Sequence, residues 1–329
     1  MVDQSRVFFE SRDAELTPSG EAAGTAFLLP ALHDRRTLVV DTPIDPEWLH
    51  NVSFLVETVA QWWDLPMCAP KGPAGEIAVS ADGVGLLFTG GVDSFFTLLE
   101  GDMSIDTLIH VQGFDIPLSD PARLASAEAD ARAVAENLGV RCVVVRSNLR
   151  SHPLYGSLSW ERTHGGALLS IGHLLRGIVG EIVISSSAHR SATRSWGTDW
   201  RIDRYWSSSS VQVTHFGEDW WRYQKLERMA HHPLVRNHLR VCWEHRTSKS
   251  NCSHCEKCLR TMITLDDVGA LDGMDVFDRG PIPERIDRLA YVSGPGSRRE
   301  YGLMVEQGID QSIDRAVREL LERSNPRDI

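Results

Sequence analysis

The segment 86–96, Leu-Leu-Phe-Thr-Gly-Gly-Val-Asp-Ser-Phe-Phe, constrains the fold of this chain more than any other. The apolar residues from Val84 to Phe88 predict a buried strand, and the apolar stretch that ends before Gly101 predicts a helix. Gly90 and Gly91 stand between the two. Glycine lets the backbone approach a ligand closely, and the first N–H groups of a helix point beyond its N-terminus. The segment therefore predicts a phosphate-binding loop.

The polar side chains of this loop support the same prediction. The Asp93 carboxylate is a candidate ligand for Mg²⁺, and the hydroxyls of Thr89 and Ser94 are candidate partners of phosphate oxygens. The loop has no lysine, which separates it from the G-x-x-x-x-G-K-S/T loop of kinases and GTPases. An ordinary strand-to-helix turn is the alternative. We predict Asp93 and Ser94 as catalytic residues and the following as nucleotide-binding residues: Thr89, Gly90, Gly91, Val92, Asp93 and Ser94.

Strands and helices alternate after this loop. Apolar runs predict strands at 107–114, 140–146 and 181–185, and helical patterns fill 121–138 and 160–179. This order predicts an α/β fold with a parallel, doubly wound sheet and helices on both faces. Ligands of such sheets bind at the carboxyl ends of the strands, which is where the glycine loop lies.

The chain on either side of this pattern is less regular. Short strands are expected at 7–10 and 37–41, and a helix from Pro46 to Trp63. After Gly280 the prolines and glycines predict irregular chain, followed by an amphipathic helix at 310–323. The role expected for the N-terminal part is structural or oligomeric, with a substrate lid as the alternative. We divide the chain into an N-terminal α+β region, a main domain and a helical tail: 1–78, 79–280 and 281–329.

The segment 186–242 crowds tryptophans with charged residues directly after the last predicted strand. That composition favours a wall that closes over a substrate, and a surface excursion with packed tryptophans is the alternative. Within it we predict Arg190 as a nucleotide-binding residue, and Arg190 and Arg194 are both candidates for phosphate or substrate contact.

Four of the six cysteines cluster near the C-terminal end of the predicted main domain. Four thiolates at this spacing can close a tetrahedral zinc site, whereas Cys68 and Cys142 stand alone. His245 and His254 are alternative ligands, and an iron–sulfur cluster is the competing assignment. The predicted metal ligands are Cys242, Cys252, Cys255 and Cys258.

The glycine loop and the cysteine cluster together resemble 7-cyano-7-deazaguanine synthase and its relatives in the pyrophosphate-loop ATP pyrophosphatase superfamily. Thr89 stands where the S-G-G-x-D-S loop of that family has its first serine. The resemblance implies a Rossmann-like sheet of the adenine nucleotide alpha hydrolase type, with ATP, Mg²⁺ and Zn²⁺ as cofactors. Two departures limit it: about eighty residues precede the loop, and the family's substrate motif is not evident in 185–203. The ATP chemistry and the metal carry over, and the deazapurine substrate does not.

The chemistry that this resemblance implies is an AMP-forming ligase reaction. A carboxylate or carbonyl oxygen attacks the α-phosphate of ATP, pyrophosphate leaves, and a nitrogen nucleophile then displaces AMP. Two alternatives remain: sulfur transfer to tRNA or to a small molecule, and a nucleotide-sensing subunit without catalysis.

Net charge narrows the set of partners. The chain carries a formal charge of −11, so we do not expect it to coat a nucleic-acid backbone. Since no apolar run approaches about 20 residues, we expect no membrane partner. Residues 1–13 are mixed and charged and lack a signal-peptide core, so a cytoplasmic location is expected. The expected partner is a small-molecule substrate, and a homodimer stays open.

Overall fold

The computed structural model describes residues 6–75, 81–156, 158–192, 194–244, 247, 249–292 and 294–324. Its contacts divide the chain into two compact units. The first, here called the sheet unit, comprises residues 1–89, 101–186 and 193–216. The second, here called the cysteine unit, comprises 90–100, 187–192 and 217–329.

The sheet unit is built on a six-stranded, mostly parallel sheet, which confirms the predicted α/β class. The strand order is β1-β4-β3-β2-β5-β6, and only the β1–β4 pair is antiparallel among the described strands. The chain therefore adds β3 and β4 on one side of β2, and β5 and β6 on the other. The strands are β1 Phe9–Glu10, β2 Val84–Leu87, β3 Thr107–Gln112, β4 Arg141–Ser147, β5 Glu181–Ser185 and β6 Gln212–Phe216.

The helices follow in part the local signals of the sequence. Asp120 caps α4 by accepting the N–H of Arg123, Pro121 is its first residue, and Gly139 ends it in the left-handed region. In chain order the helices are α1 Gly20–His33, α2 Pro46–Trp63, α3 Val92–Glu100, α4 Pro121–Leu138, α5 Pro153–Gly156, α6 Trp160–Leu174, α7 Arg222–Met229, α8 Pro233–His238, α9 Glu256–Asp267, α10 Ile282–Asp287, α11 Gly294–Gln307 and α12 Gln311–Arg323.

The N-terminal residues belong to the sheet unit together with strands and helices of the predicted main domain. β1 pairs with β4, and α1 packs against α6. Trp48 of α2 is fully buried, and its indole N–H donates to the Thr25 hydroxyl at 3.0 Å. The strand expected at 37–41 is absent from the described structure. Only an isolated bridge between Val39 and Lys71 forms there.

Two further predictions differ from the structure. The helix expected at 160–179 ends at Leu174, whose carbonyl accepts the N–H of Thr17 from the N-terminal segment. The chain after Gly280, expected to be irregular, forms α10 and α11. Proline lies in the first turn of α10, where its missing N–H costs nothing, so Pro283 there favours a helix rather than preventing one.

Within the cysteine unit, α7 packs against α3 and α9, and α11 packs against α7 and α12. The amphipathic helix predicted at 310–323 is α12, with Asp310 as its N-cap. Throughout the described part of the chain, no helix combines the length and the apolar character needed to cross a bilayer.

Candidate functional site

The glycine loop adopts the strand–turn–helix form that the sequence predicts. β2 ends at Leu87, and α3 begins at Val92 with the carbonyl of Gly91 accepting the N–H of Phe95 at 3.0 Å. Gly90 has φ +72°, a conformation that favours glycine, and its carbonyl accepts the N–H of Arg240 at 2.8 Å. The turn is therefore fixed by its backbone, and the first-turn N–H groups of α3 have no acceptor within their own helix.

Asp93 lies in the first turn of α3 and is clamped by two cations of α7. Arg222 donates from Nη1 to Oδ2 at 2.6 Å, and Lys225 donates from Nζ to Oδ1 at 3.2 Å. The Asp93 side chain is 19% exposed, the Arg222 side chain 10% and the Lys225 side chain 1%. Both carboxylate oxygens are thus engaged in a largely buried ion-pair network.

The pKa shifts in this network follow from burial and charge. Burial alone would raise the pKa of Asp93, but Lys225, Arg222 and Lys257 outweigh it and hold that pKa below its usual value. Burial lowers the pKa of Lys225, although Asp93 opposes the shift. Asp93 is consequently ionised at neutral pH, and its charge stabilises the two buried cations.

A second layer of charged groups surrounds Arg222. Glu300 of α11 accepts a backbone hydrogen bond from Arg222, and burial raises the pKa of the Glu300 carboxyl. Glu256 and Arg260 of α9 form an ion pair at 3.4 Å, and burial raises the pKa of Glu256 as well. A cavity of about 10 Å³, enough for about one water molecule, is bounded by Arg222, Arg260 and Glu300 among others.

The remaining predicted residues of the loop have local partners. Thr89 is exposed, and the Ser94 hydroxyl donates to the carbonyl of Gly91 at 3.2 Å. Arg190 does not contact Asp93 through any hydrogen bond or ion pair found in the described structure. Its guanidinium pairs with Glu218 at 3.2 Å and with Asp219 at 2.8 Å.

Sequence reasoning missed Arg222 and Lys225. They follow Asp93 by 129 and 132 residues, and no motif joins them to the loop. The only signal was their i,i+3 spacing in a short helix, which places both side chains on one face.

The four clustered cysteines meet as predicted and can hold a metal ion such as zinc. Their Sγ atoms all lie within 4.8 Å of one another, and all four residues are buried. The Sγ atoms of Cys242 and Cys255 are 3.9 Å apart, and those of Cys252 and Cys258 are 4.0 Å apart. The alternative ligand His254 is not part of the cluster, and His245 lies outside the described residues.

Backbone hydrogen bonds set the geometry of the cluster. The N–H of Cys255 donates to Sγ of Cys252 at 3.2 Å, and the N–H of Cys258 donates to Sγ of Cys255 at 3.4 Å. Buried Asn251 accepts the N–H groups of Val241 and Cys242 through Oδ1 and donates to the Leu239 carbonyl. Cys242 and the three cysteines of the C-x-x-C-x-x-C motif are thereby held together.

The tryptophan-rich segment that we predicted as a substrate wall is divided between the two units. In the cysteine unit, His189 stacks on Trp221 with ring centroids 4.4 Å apart. In the sheet unit, His215 of β6 pairs with Asp203 at 2.7 Å, and Arg194 lies over the Trp196 ring at 3.8 Å. Within the cysteine unit, no contact found in the described structure joins His189 or Trp221 to Asp93.

Comparisons with protein-family models, with curated proteins and with solved structures found no match to this chain.

Proposed function

We propose that this protein is an ATP pyrophosphatase of the pyrophosphate-loop type that joins two molecules at the expense of ATP. A carboxylate or carbonyl oxygen of a small-molecule substrate attacks the α-phosphate, and pyrophosphate leaves. A nitrogen nucleophile then attacks the adenylated carbon and displaces AMP. The observation that carries the proposal is the Gly-Gly-Val-Asp-Ser turn, whose aspartate lies beside two buried cations.

The topology of the sheet supports a Rossmann-like assignment. The strand order reverses at β2, since β3 lies on one side of it and β5 on the other. Open α/β sheets bind ligands outside the carboxyl ends of the strands at such a reversal. The glycine loop starts directly after β2. Right-handed crossovers, which are the rule for parallel strands, would put helices on both faces of a sheet with this order.

The residues of the cysteine unit supply the electrostatics that phosphoryl transfer needs. The first-turn N–H groups of α3 favour an anion, and Lys225 and Arg222 add two positive charges beside them. Preorganised donors of this kind stabilise the charge that develops on the transferring phosphorus and on the leaving pyrophosphate. Ser94 acts in this proposal through the shape of the turn, because its hydroxyl bonds to Gly91.

Asp93 fits Mg²⁺ by its chemistry, because a carboxylate is the ligand that Mg²⁺ takes from proteins. Oδ1 and Oδ2 each accept one hydrogen bond from a cation. Each oxygen has a second lone pair, which is the one that would be offered to the ion. When bound, Mg²⁺ would neutralise charge on the phosphate oxygens, and the residue that would hold it is Asp93.

The sulfur positions support zinc in the cysteine cluster. A tetrahedral ion with Zn–S bonds of about 2.3 Å separates its sulfurs by roughly 3.8 Å. The distances of 3.9 and 4.0 Å are close to this value. An iron–sulfur cube places each thiolate on a different iron and spreads the sulfurs further, so the spacing favours one ion. With four protein ligands the zinc has a structural role.

The experiment that tests the function is an analysis of nucleotide products. The protein is incubated with Mg²⁺-ATP and a small-molecule cell extract, beside Asp93→Ala and Asp64→Ala. Asp64 is a matched control because its carboxylate is fully exposed in the sheet unit. We expect AMP and pyrophosphate from the wild type and from Asp64→Ala, and neither from Asp93→Ala.

Other product patterns would refute the proposal in different ways. ADP and phosphate would exclude pyrophosphatase chemistry. AMP formation that also requires a sulfur donor would indicate sulfur transfer. Binding of ATP without turnover in the presence of the extract would favour the nucleotide-sensing alternative.

A further inference from the structure

We infer that Arg222 and Lys225 form an oxyanion site whose internal occupant is Asp93, and that a pyrophosphate group binds by displacing this carboxylate. The inference rests on the proposed function for the identity of the ligand. Asp93 then has a role that the proposed function does not give it: its carboxylate competes with the phosphate for the two cations.

An unpartnered donor at the site calls for an anion. Two buried cations, Arg222 and Lys225, face the single carboxylate of Asp93, and Glu300 of α11 is a further acid that acts on both cations. Nη2 of Arg222 is buried without a hydrogen-bond partner in the described structure. A buried guanidinium nitrogen without an acceptor costs free energy. An oxyanion with several oxygens would accept from this nitrogen and would also replace the contacts that Asp93 now makes.

The packing decides which group moves. Nζ of Lys225 is 5.8 Å from the centroid of the Phe96 ring. A Cβ added at Gly217 would lie 3.4 Å from the same Nζ. The backbone N–H of Arg222 donates to Glu300 of α11, which fixes this turn of α7. The cations are therefore fixed on α7, whereas Asp93 is a short side chain that is still 19% exposed. Displacement happens by rotation of the Asp93 carboxylate away from the two cations.

The exchange predicts that removal of Asp93 changes the affinity for pyrophosphate in the opposite direction to removal of an ordinary binding residue. Removing a carboxylate that competes with the ligand raises the affinity for pyrophosphate in the absence of Mg²⁺. Removing a cation lowers it. A carboxylate that only positions the loop would lower the affinity when it is removed.

The test is calorimetric titration of inorganic pyrophosphate into the full chain in Mg²⁺-free buffer. We expect Asp93→Asn to bind at least about tenfold tighter than the wild type, and Lys225→Met to bind at least about tenfold more weakly, as for lost charge-assisted bonds. Asp64→Asn removes the same charge at an exposed position and should leave the affinity unchanged. Because Asp93→Asn leaves two buried cations without their partner, folding is checked by thermal melting. Pyrophosphate should raise the melting temperature of this variant more than that of the wild type.

Affinity for pyrophosphate that is equal or lower in Asp93→Asn overturns the inference, as does the absence of binding to both proteins. These results are separate from the product analysis. Tighter binding by Asp93→Asn without AMP formation by the wild type keeps the oxyanion site and removes the proposed function. AMP formation without tighter binding does the reverse.

Discussion

Replacement of Gly165 by alanine should destabilise the sheet unit, although alanine is the better helix former. The two adjacent glycines inside α6 are unusual for a helix, and close backbone contacts explain them. A Cβ on Gly165 would lie 1.9 Å from the carbonyl oxygen of Gly197. A Cβ on Gly166 would lie 2.6 Å from the carbonyl oxygen of Thr25 in α1. The pair therefore lets α6 approach two different backbone segments.

The size of the effect follows from these distances. The first contact is roughly 1.5 Å shorter than two such atoms normally approach, and both partners are backbone, so no side chain can swing away. Overpacking of this kind costs about 1–3 kcal/mol, and the helix propensity of alanine returns at most about 1 kcal/mol. We expect Gly165→Ala to lose about 2 kcal/mol of unfolding free energy, and Gly166→Ala to lose less because its contact is longer.

The matched control is Gly302→Ala in α11. Gly302 lies inside a helix, and a Cβ there would meet no atom within 4 Å, so only the propensity gain remains. This variant should gain about 0.5–1 kcal/mol. Urea denaturation followed by circular dichroism gives both signs in one series. If Gly165→Ala unfolds within about 0.5 kcal/mol of the wild type, the close approach of Gly197 is refuted.

Three other predictions test the four-cysteine cluster, the thiol of Cys142 and the buried pair of Asp203 and His215. Asn251→Ala should weaken zinc binding at least about tenfold, because it releases the N–H groups of Val241 and Cys242, and competition with a chelator measures the loss. Unchanged zinc affinity would show that the cysteines need no such support. Burial raises the pKa of Cys142 to about 11, so its alkylation by iodoacetamide should be slow at pH 8 and rise about tenfold per pH unit up to pH 10, as read by mass spectrometry. A plateau below pH 9 would contradict this. Burial also raises the pKa of Asp203 although His215 opposes the shift, so the folded protein holds that proton more tightly than the unfolded chain, and the stabilisation is lost as pH rises through the folded-state pKa. The stability of the wild type relative to Asp203→Asn should therefore fall as the pH rises above the unfolded-state value of about 3.8 in urea titrations, and a constant difference would mean that Asp203 is not perturbed.

Much of the sheet was predictable because its signals are local. The apolar runs gave β2, β3, β4 and β5 within a few residues, and capping residues gave the start of α4. β6 was missed because Gln212–Phe216 is a short strand with mixed polarity inside a tryptophan-rich segment. It becomes a strand by pairing with β5, where Ile184 lies opposite His215. Pairing across distant segments leaves no local pattern.

The candidate site divides in the same way. The spacing of the cysteines predicted the cluster, since C-x-x-C-x-x-C brings three thiols to one loop and helix start, and only Cys242 had to be found upstream of this motif. The glycine loop was equally readable, because turn geometry depends on the residues of the turn itself. The two cations beside the loop, Arg222 and Lys225, could not be predicted from the sequence.

By itself the sequence determined the α/β class, the strand–turn–helix form at Gly90 and the four-cysteine cluster. Only the tertiary structure decided that α7 places Arg222 and Lys225 on Asp93, and that the N-terminal helices share the core of the sheet unit. The physical reason is the distance along the chain over which each interaction acts. Dihedral preferences, capping and ligand spacing act within a few residues, whereas an ion pair across about 130 residues exists only after packing has brought two helices together.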